Sequence, residues 1–374
     1  MNNDDKWTTK KIGIISYNIY GNFTNYGSAL QSWALNQAIK KMGFSPVLID
    51  YCPNIHLDKN ILNPLERMWD QDEESRINCE LTLPAIRENY CKFEAFFTNR
   101  FVRTTKYTSE NFESSTNDVD SYICGSDTIF CIDESNGFDD GFFANFICMK
   151  GNSVAYAASF GDTKITEHQY KILEERLNNF KAIGLRETKM IDYVQNHTNC
   201  PVSRTIDPTL LLRPHEYNEI TEARFIPDKY LLLYTRRYNL KMQKYAEDIA
   251  KKEGWKVVEI SLRATHAEKG HIMQYKSGVE EFLSLVKHAE YIVTNSFHGL
   301  MFSVQFKKQF AIFSRESGDS KIKEALELFG LRQNLLTDYT DEILLISDYN
   351  EVHKRIAMAR EKSLNFLKEE LELL

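Results

Sequence analysis

The sequence predicts an α/β protein built from two Rossmann-like, doubly wound domains that face a central cleft. Three observations carry that prediction. Short apolar runs of strand length alternate with segments of helical period. The alternation occurs twice, before and after residues 213–228, which hold Pro214, Pro227 and little periodicity. The 374 residues also suit two domains of ordinary size, about 100–200 residues each. The expected bounds are 1–215 for the first domain and 228–345 for the second, with a charged terminal helix over 346–374.

The first domain opens on a strand at 12–17, followed by a polar loop at 18–28. Leu30, Ala34, Ala38 and Met42 then recur every four residues, with Leu35 and Ile39 beside them, and Gly43 ends the helix they define. A second strand at 46–50 follows at once. Strand, helix and strand in this order seed a parallel sheet. Residues 54–118 break the rhythm with a charged, helix-patterned stretch carrying Phe93, Phe96, Phe97 and Phe101. We read it as an insertion or lid on the first domain that borders the cleft, its phenylalanines serving the core. Strands return at 121–124, 153–158 and 182–185, with helices at 166–180 and 188–196.

The second domain repeats the pattern. Strands fall at 230–234, 257–262, 291–294 and 310–313. Helices fall at 241–252, 279–288, from His298 to Phe306, and at 321–329. Ligands of such sheets bind beyond the carboxyl ends of the strands. Residues that directly follow strands are therefore the candidates for function.

Composition narrows the function classes. The net charge is −7 and no long basic block occurs, which argues against nucleic acid as a partner. Seven cysteines are scattered without a CxxC pair, so free thiols are expected, not a zinc knuckle or a disulfide frame. Met1 to Lys6 has no apolar signal-peptide core, and no apolar run nears the ~20 residues of a membrane span. A cytoplasmic protein is expected, at most peripheral at the inner membrane face. No HExxH motif or carboxylate cluster suggests a metal. The spacing from Gly21 to Gly27 does not fit a dinucleotide fingerprint, so no cofactor is expected either.

Several strand-end segments carry a resemblance. Asn25-Tyr26-Gly27-Ser28-Ala29-Leu30-Gln31-Ser32-Trp33-Ala34-Leu35 resembles the N-Y-G-x-x-L-Q-x-x-A-L signature of polysaccharide pyruvyl transferases. Gly125-Ser126-Asp127, Ser159-Phe160-Gly161, Leu185-Arg186-Glu187, Asp207-Pro208-Thr209-Leu210-Leu211 and Thr294-Asn295-Ser296-Phe297-His298-Gly299 follow in that family's order over about 12–336. The resemblance implies a GT-B-like fold, phosphoenolpyruvate as donor and co-substrate, and a sugar or lipid-linked oligosaccharide as acceptor. One branch of the family carries an Arg two residues before the motif His. Here Ser296 stands there, so that guanidinium must come from elsewhere or the substrate differs.

His298 is the first catalytic candidate. It opens a helix, where the dipole favours anions, and an imidazole can exchange a proton near neutral pH. Asp127, after a strand, is the second, as base for an acceptor hydroxyl or as a sugar ligand. The resemblance implies that Arg186 binds the donor anion. Ser296, Gly299, Arg315, Lys321 and Arg236 complete the donor side, with Arg237 beside them as a further cation. Asn25, Tyr26, Gly27 and Ser28 form the acceptor or phosphate loop, where backbone N–H groups before the helix could meet an anion unless Ser28 caps it. His266 and His271 lie in a polar loop that the spacing does not orient. Two other readings stand beside pyruvyl transfer: a GT-B glycosyltransferase using a nucleotide sugar, and a non-catalytic saccharide-binding component of the same pathway.

Overall fold

The computed structural model describes residues 9–17, 24–67, 72–113, 118–315, 319–340 and 342–374. Most of the loop expected at 18–28 lies outside them. The first half runs β1 (Lys11–Ile15), α1 (Tyr26–Lys41), β2 (Ser45–Leu48), α2 (Glu73–Arg100), β3 (Ser121–Cys124), α3 (Ile132–Ser135), β4 (Ser153–Ala158), α4 (Glu167–Leu177), β5 (Ala182–Leu185), α5 (Ile191–His197) and β6 (Val202–Arg204). The second half runs β7 (Tyr230–Tyr234), α6 (Leu240–Glu253), β8 (Lys256–Ile260), β9 (Ile272–Met273), α7 (Val279–His288), β10 (Tyr291–Thr294), α8 (Phe297–Gln305), β11 (Gln309–Phe313), α9 (Ser320–Phe329), β12 (Leu335–Leu336) and α10 (Tyr349–Leu373).

Each half holds one six-stranded sheet, ordered β2-β1-β3-β4-β5-β6 and β12-β11-β10-β7-β8-β9. Every pairing is parallel. Central strands such as β3, β7 and β10 are buried throughout, as strands covered by helices on both faces must be. In the first sheet the chain goes outward from β1 to β2 and returns to the other side of β1 at β3. In the second it goes from β7 through β8 to β9, then returns at β10 beside β7. The strand order thus reverses between β1 and β3 and between β7 and β10. Such switch points are where strand ends diverge and leave a crevice.

Three short strands, β6, β9 and β12, escaped the sequence reading. They have two or three residues each, too few to show a period. The first helix also starts earlier than expected. Its N-cap is Asn25, not Ser28: Asn25 Oδ1 accepts from the N–H groups of Gly27 (2.9 Å) and Ser28 (3.4 Å).

The helix within 54–118 does more than cover the first sheet. Phe93, Phe96, Phe97 and Phe101 are buried in the main core, as expected. Its outer side is tied to the second half. Lys92 Nζ lies 2.8 Å from Glu281 Oε1, Arg100 Nε donates to Glu280 Oε1 at 2.9 Å, and Thr265 N–H donates to Asn78 Oδ1 at 2.9 Å. The insertion is therefore a strap between the halves.

One apolar cluster runs through both halves. It joins Ile14, Leu30, Trp33 and Phe93 to Tyr234, Phe282, Leu300 and Phe302. The terminal helix α10 enters the same cluster through Leu367 and Leu371. It returns to the first half, where Arg360 donates to the carbonyls of Leu210 (2.6 Å) and Leu212 (3.2 Å) and Ser363 Oγ accepts from Ile206 N–H (3.1 Å).

Candidate active site

The site is assembled from strand ends. β3 runs into Gly125-Ser126-Asp127. Gly125 has φ +146°, and a Cβ there would fall 2.0 Å from the Tyr156 carbonyl oxygen, so only glycine fits. Asp127, at φ +74°, is clamped to the end of β4 by the Ser159 N–H on its carbonyl (3.0 Å). Gln31 of α1 accepts the Ser126 N–H (3.0 Å) and donates to Ser16 Oγ (2.6 Å), locking the ends of β1 and β3 together. Arg186 follows β5, is buried, and donates to Ser126 Oγ at 2.7 Å.

Asp207 joins this group from the loop after β6. Its Oδ1 accepts from Thr209 N–H (2.9 Å) and Thr209 Oγ (2.6 Å), a turn that Pro208 favours. Its Oδ2 is thereby aimed at Arg186 Nη2 (3.3 Å) and His298 Nε2 (3.5 Å). His298 arrives from the second half, in the first turn of α8. Gly27 makes room for it: a Cβ on Gly27 would lie 1.9 Å from His298 Nδ1. Arg186 Nη1 and Lys321 Nζ each stand 3.7 Å from Asp127 Oδ1. The Phe297 ring lies under both cations, 5.0 Å from Arg186 Cζ and 5.6 Å from Lys321 Nζ. The result is a row of alternating character, His298, Asp207, Arg186, Asp127, Lys321, spanning the two halves.

Burial alone would raise both carboxyls. Around Asp127 the Lys321 ammonium, then Arg186 and His298, hold it below the ordinary range. Around Asp207 the Arg186 guanidinium, then His298, hold it well below. Both are therefore carboxylates at neutral pH. Glu187, beside Arg186, is instead pushed up by burial, which Arg186 only partly offsets. The contacts of 3.3–3.7 Å are attractive without being close hydrogen bonds. Among the described residues, Arg186 Nε and Nη1, Asp207 Oδ2 and His298 Nε2 are buried and find no hydrogen-bond partner. Polar atoms in that state cost about 1–3 kcal/mol each unless a ligand or water meets them. The arrangement can accept a small anion and exchange a proton with it.

The structure thus brings together four residues predicted from sequence: His298, Asp127, Arg186 and Lys321. Arg236 and Arg315 form a second cationic group with Arg237, at the ends of β7 and β11. Arg236 N–H donates to Asn295 Oδ1 (2.8 Å), and Arg237 Nη1 donates to the Arg315 carbonyl (3.3 Å). Burial lowers the pKa of Arg315, which nearby Asp319 offsets and the charges of Arg237 and Arg236 reinforce. Asp319 is two residues before Lys321, so the two groups adjoin.

Other expectations are corrected. Ser296 Oγ caps α8 by accepting the Gly299 N–H (3.2 Å), so that N–H is already used. The N–H groups of Gly27 and Ser28 are taken by Asn25 in the same way. Tyr26 is packed away from solvent, stacked on Phe282 at 4.4 Å, with its hydroxyl donating to the Ser277 carbonyl (2.6 Å). The loop therefore serves His298 through Gly27 and joins the halves through Tyr26. His266 and His271 are buried against Glu259 and do not face the row. In the sequence Asp207 stands out only as part of a motif. The signal that could have found it is the Asp-Pro-Thr turn following a strand, which frees one carboxylate oxygen to point elsewhere.

Two open parallel sheets whose strand ends meet over a buried row of mixed charge define a protein of GT-B-like fold. The family model for polysaccharide pyruvyl transferase matches residues 25–317, and the chain belongs to that family, which is a family of transferases. Among solved structures, UDP-N-acetylglucosamine 2-epimerase from Rickettsia bellii is similar at 10% identity over 96% of both chains, with a TM-score of 0.52. The UDP-GlcNAc 2-epimerase from Neisseria meningitidis bound to UDP-GlcNAc is 11% identical over 98% of this chain and 100% of that one, with a TM-score of 0.45. At 10% identity the likeness to the Rickettsia bellii protein is one of fold alone. No curated protein matches the sequence. No helix among the described residues is long and apolar enough to cross a membrane.

Proposed function

We propose that the chain transfers the pyruvyl group of phosphoenolpyruvate to two hydroxyls of a sugar, forming a ketal and releasing phosphate, in polysaccharide or exopolysaccharide synthesis. The observation that carries this reading is the buried row from His298 to Lys321, with its unmet polar atoms, in a member of this family.

Phosphoenolpyruvate brings roughly three negative charges on adjacent groups. Arg186 and Lys321 are the nearest cations, and a guanidinium suits carboxylate or phosphate through two parallel N–H bonds. Asp127 and Asp207 already balance those two cations. The Arg236, Arg237 and Arg315 group next to Lys321 supplies the further positive charge and stands in for the guanidinium replaced by Ser296. His298, held by Asp207 and pressed on Gly27, is the proton donor to the enol carbon. One sugar oxygen bonds to the carbon that carries the phosphate, the C–O bond to phosphate breaks with its electron pair, and a second sugar oxygen closes the ketal. The two hydroxyls release two protons. One restores the acid that protonated the enol carbon, with Asp127 placed to relay it, and the other leaves with phosphate.

Calorimetric titration with phosphoenolpyruvate tests the donor. Binding is expected in the unmodified protein, weakened by about tenfold or more in both His298→Ala and Arg186→Ala. Absence of binding at millimolar ligand and low salt, with a nucleoside diphosphate binding instead, would overturn the reading in favour of a nucleotide-sugar transferase. Donor binding without phosphate release in the presence of saccharide acceptors would leave a binding protein.

A further inference from the structure

A second cluster of chemistry-bearing side chains lies away from that row. Glu259 is the fourth residue of β8 and points into the interior. His266 sits in the short helical turn Ala264–Lys269, and His271 just before β9. All three are buried. The Nδ1 atom of His266 lies 2.9 and 3.1 Å from the two Glu259 oxygens, and Nδ1 of His271 lies 2.6 Å from Oε2. The three donor atoms are all within 4.8 Å of one another. We propose that Glu259, His266 and His271 bind one divalent transition-metal ion, zinc in the first instance, which pins the 264–269 turn.

His271 faces more acceptors than a neutral imidazole has protons. Its Nδ1 faces Glu259, and its Nε2 faces Glu247 Oε1 at 3.3 Å. A neutral imidazole has one N–H, yet here an acceptor stands at each nitrogen. A cation between Nδ1 and Glu259 resolves the conflict. Nδ1 then gives its lone pair to the metal, and Nε2–H donates to Glu247. This is the carboxylate–histidine–metal relay by which outer residues orient a ligand. The outer residues are themselves held: Gln243 donates to Glu247 Oε1 at 2.6 Å, and Ser261 Oγ donates to Glu259 Oε1 at 2.6 Å. Two imidazoles and a carboxylate suit zinc, whose ligand distances of about 2.0–2.2 Å put neighbouring donors roughly 3 Å apart. The His271 contact opens by a few tenths of an ångström on ligation. Arg263, two residues after Ser261, has its guanidinium drawn aside, over the Tyr238 ring at 4.0 Å and 3.4 Å from Glu74.

The site is buried, and its consequence is structural. The turn it holds carries Thr265, whose N–H and hydroxyl both donate to Asn78 of α2, at 2.9 and 3.0 Å. Next to it Arg263 Nη2 donates to Ser75 at 3.1 Å. Metal occupancy therefore fixes the surface that receives the strap helix.

The test uses the full chain purified without chelator. Elemental analysis is expected to find about one zinc per chain, removable by chelation and restored by titration, with the melting temperature rising on reloading. His266→Ala and His271→Ala are expected to weaken zinc binding by at least about tenfold. Should either fail to fold, Glu247→Gln, at the more exposed end of the network, is expected to weaken it by about tenfold. No metal in the purified protein and no saturable binding at about 100 μM zinc, some hundredfold above a micromolar site, would overturn the proposal and leave the three side chains as a hydrogen-bonded cluster. Undiminished binding in the folded variants would overturn it too, placing the ion elsewhere. None of these readouts depends on the pyruvyl-transfer reading.

Discussion

Asp207 is the residue on which the two halves of the site depend. It is 2% exposed, and it is the shared partner of Arg186 from the first half and His298 from the second. Replacing it by Asn leaves the guanidinium buried with one fewer charge partner. Breaking a buried pair in this way costs about 3–5 kcal/mol, so Asp207→Asn is expected to lose that much in urea unfolding near neutral pH. The pH dependence follows from the same contacts. The folded carboxyls of Asp127 and Asp207 sit below their ordinary values, so between those values and about pH 4 the unfolded chain binds more protons. Stability therefore rises with pH across that interval and is lost as pH falls through the folded values. Urea melts from pH 2 to 6 should show a shallower acid loss in Asp207→Asn than in the parent. Gly27 gives a contrasting test. Gly27→Ala suits a helix, yet its Cβ would collide with His298. Donor binding is expected to fall about tenfold or more by calorimetry, while the circular dichroism of the helices is kept. These residues differ in legibility. His298, Arg186, Asp127 and Lys321 could be read because each follows a strand or opens a helix. Asp207 could not be singled out, because its role comes from two partners distant in sequence.

The strap helix α2 shows the same limit one level up. Its phenylalanine spacing announces a buried face, and that face is where the structure puts it. Nothing local announces the partners of its other face, which are about 180 residues away. The two kinds of contact have different weights. Lys92, Glu281, Arg100 and Glu280 are each roughly a third exposed, and pairs of that kind are worth about 0–1 kcal/mol. Phe93 is fully buried at the junction with Tyr26. Phe93→Ala is expected to cost about 3–5 kcal/mol, and Lys92→Ala or Arg100→Ala less than about 1, measured by equilibrium unfolding. A reversal of that order would mean that the strap is held by charge rather than by burial. The start of α1 was misplaced for a related reason. Asn25 and Ser28 are both good caps, and only the geometry of the loop decides which side chain reaches the free N–H groups.

At the scale of the molecule, the repeated strand–helix alternation was enough to predict two parallel sheets, because a period of two or of 3.6 is a local property. What could not be read is how completely the halves share a core. α1 lies in the first half, yet Tyr26 stacks on Phe282 of the second. α10 ends the second half in sequence, yet Leu367 and Leu371 lie in the cluster that contains Ile14 and Trp33. Two domains joined only by a linker and a cleft would unfold separately, since few apolar contacts would cross between them. A continuous cluster that includes helices from both halves couples them. Heat or urea is therefore expected to unfold the chain in one transition, with the calorimetric enthalpy equal to the van't Hoff value. Truncation after residue 348 removes the bonds of Arg360 and Ser363 to 206–212 along with two buried leucines. Each such leucine is worth about 2–5 kcal/mol, a large share of a typical total stability. The truncated chain should then lose cooperative folding in the first half as well as the second. Two well-separated transitions in the full chain, with the first half unchanged by the truncation, would show instead that each sheet is stabilised by its own helices and that the shared cluster contributes little.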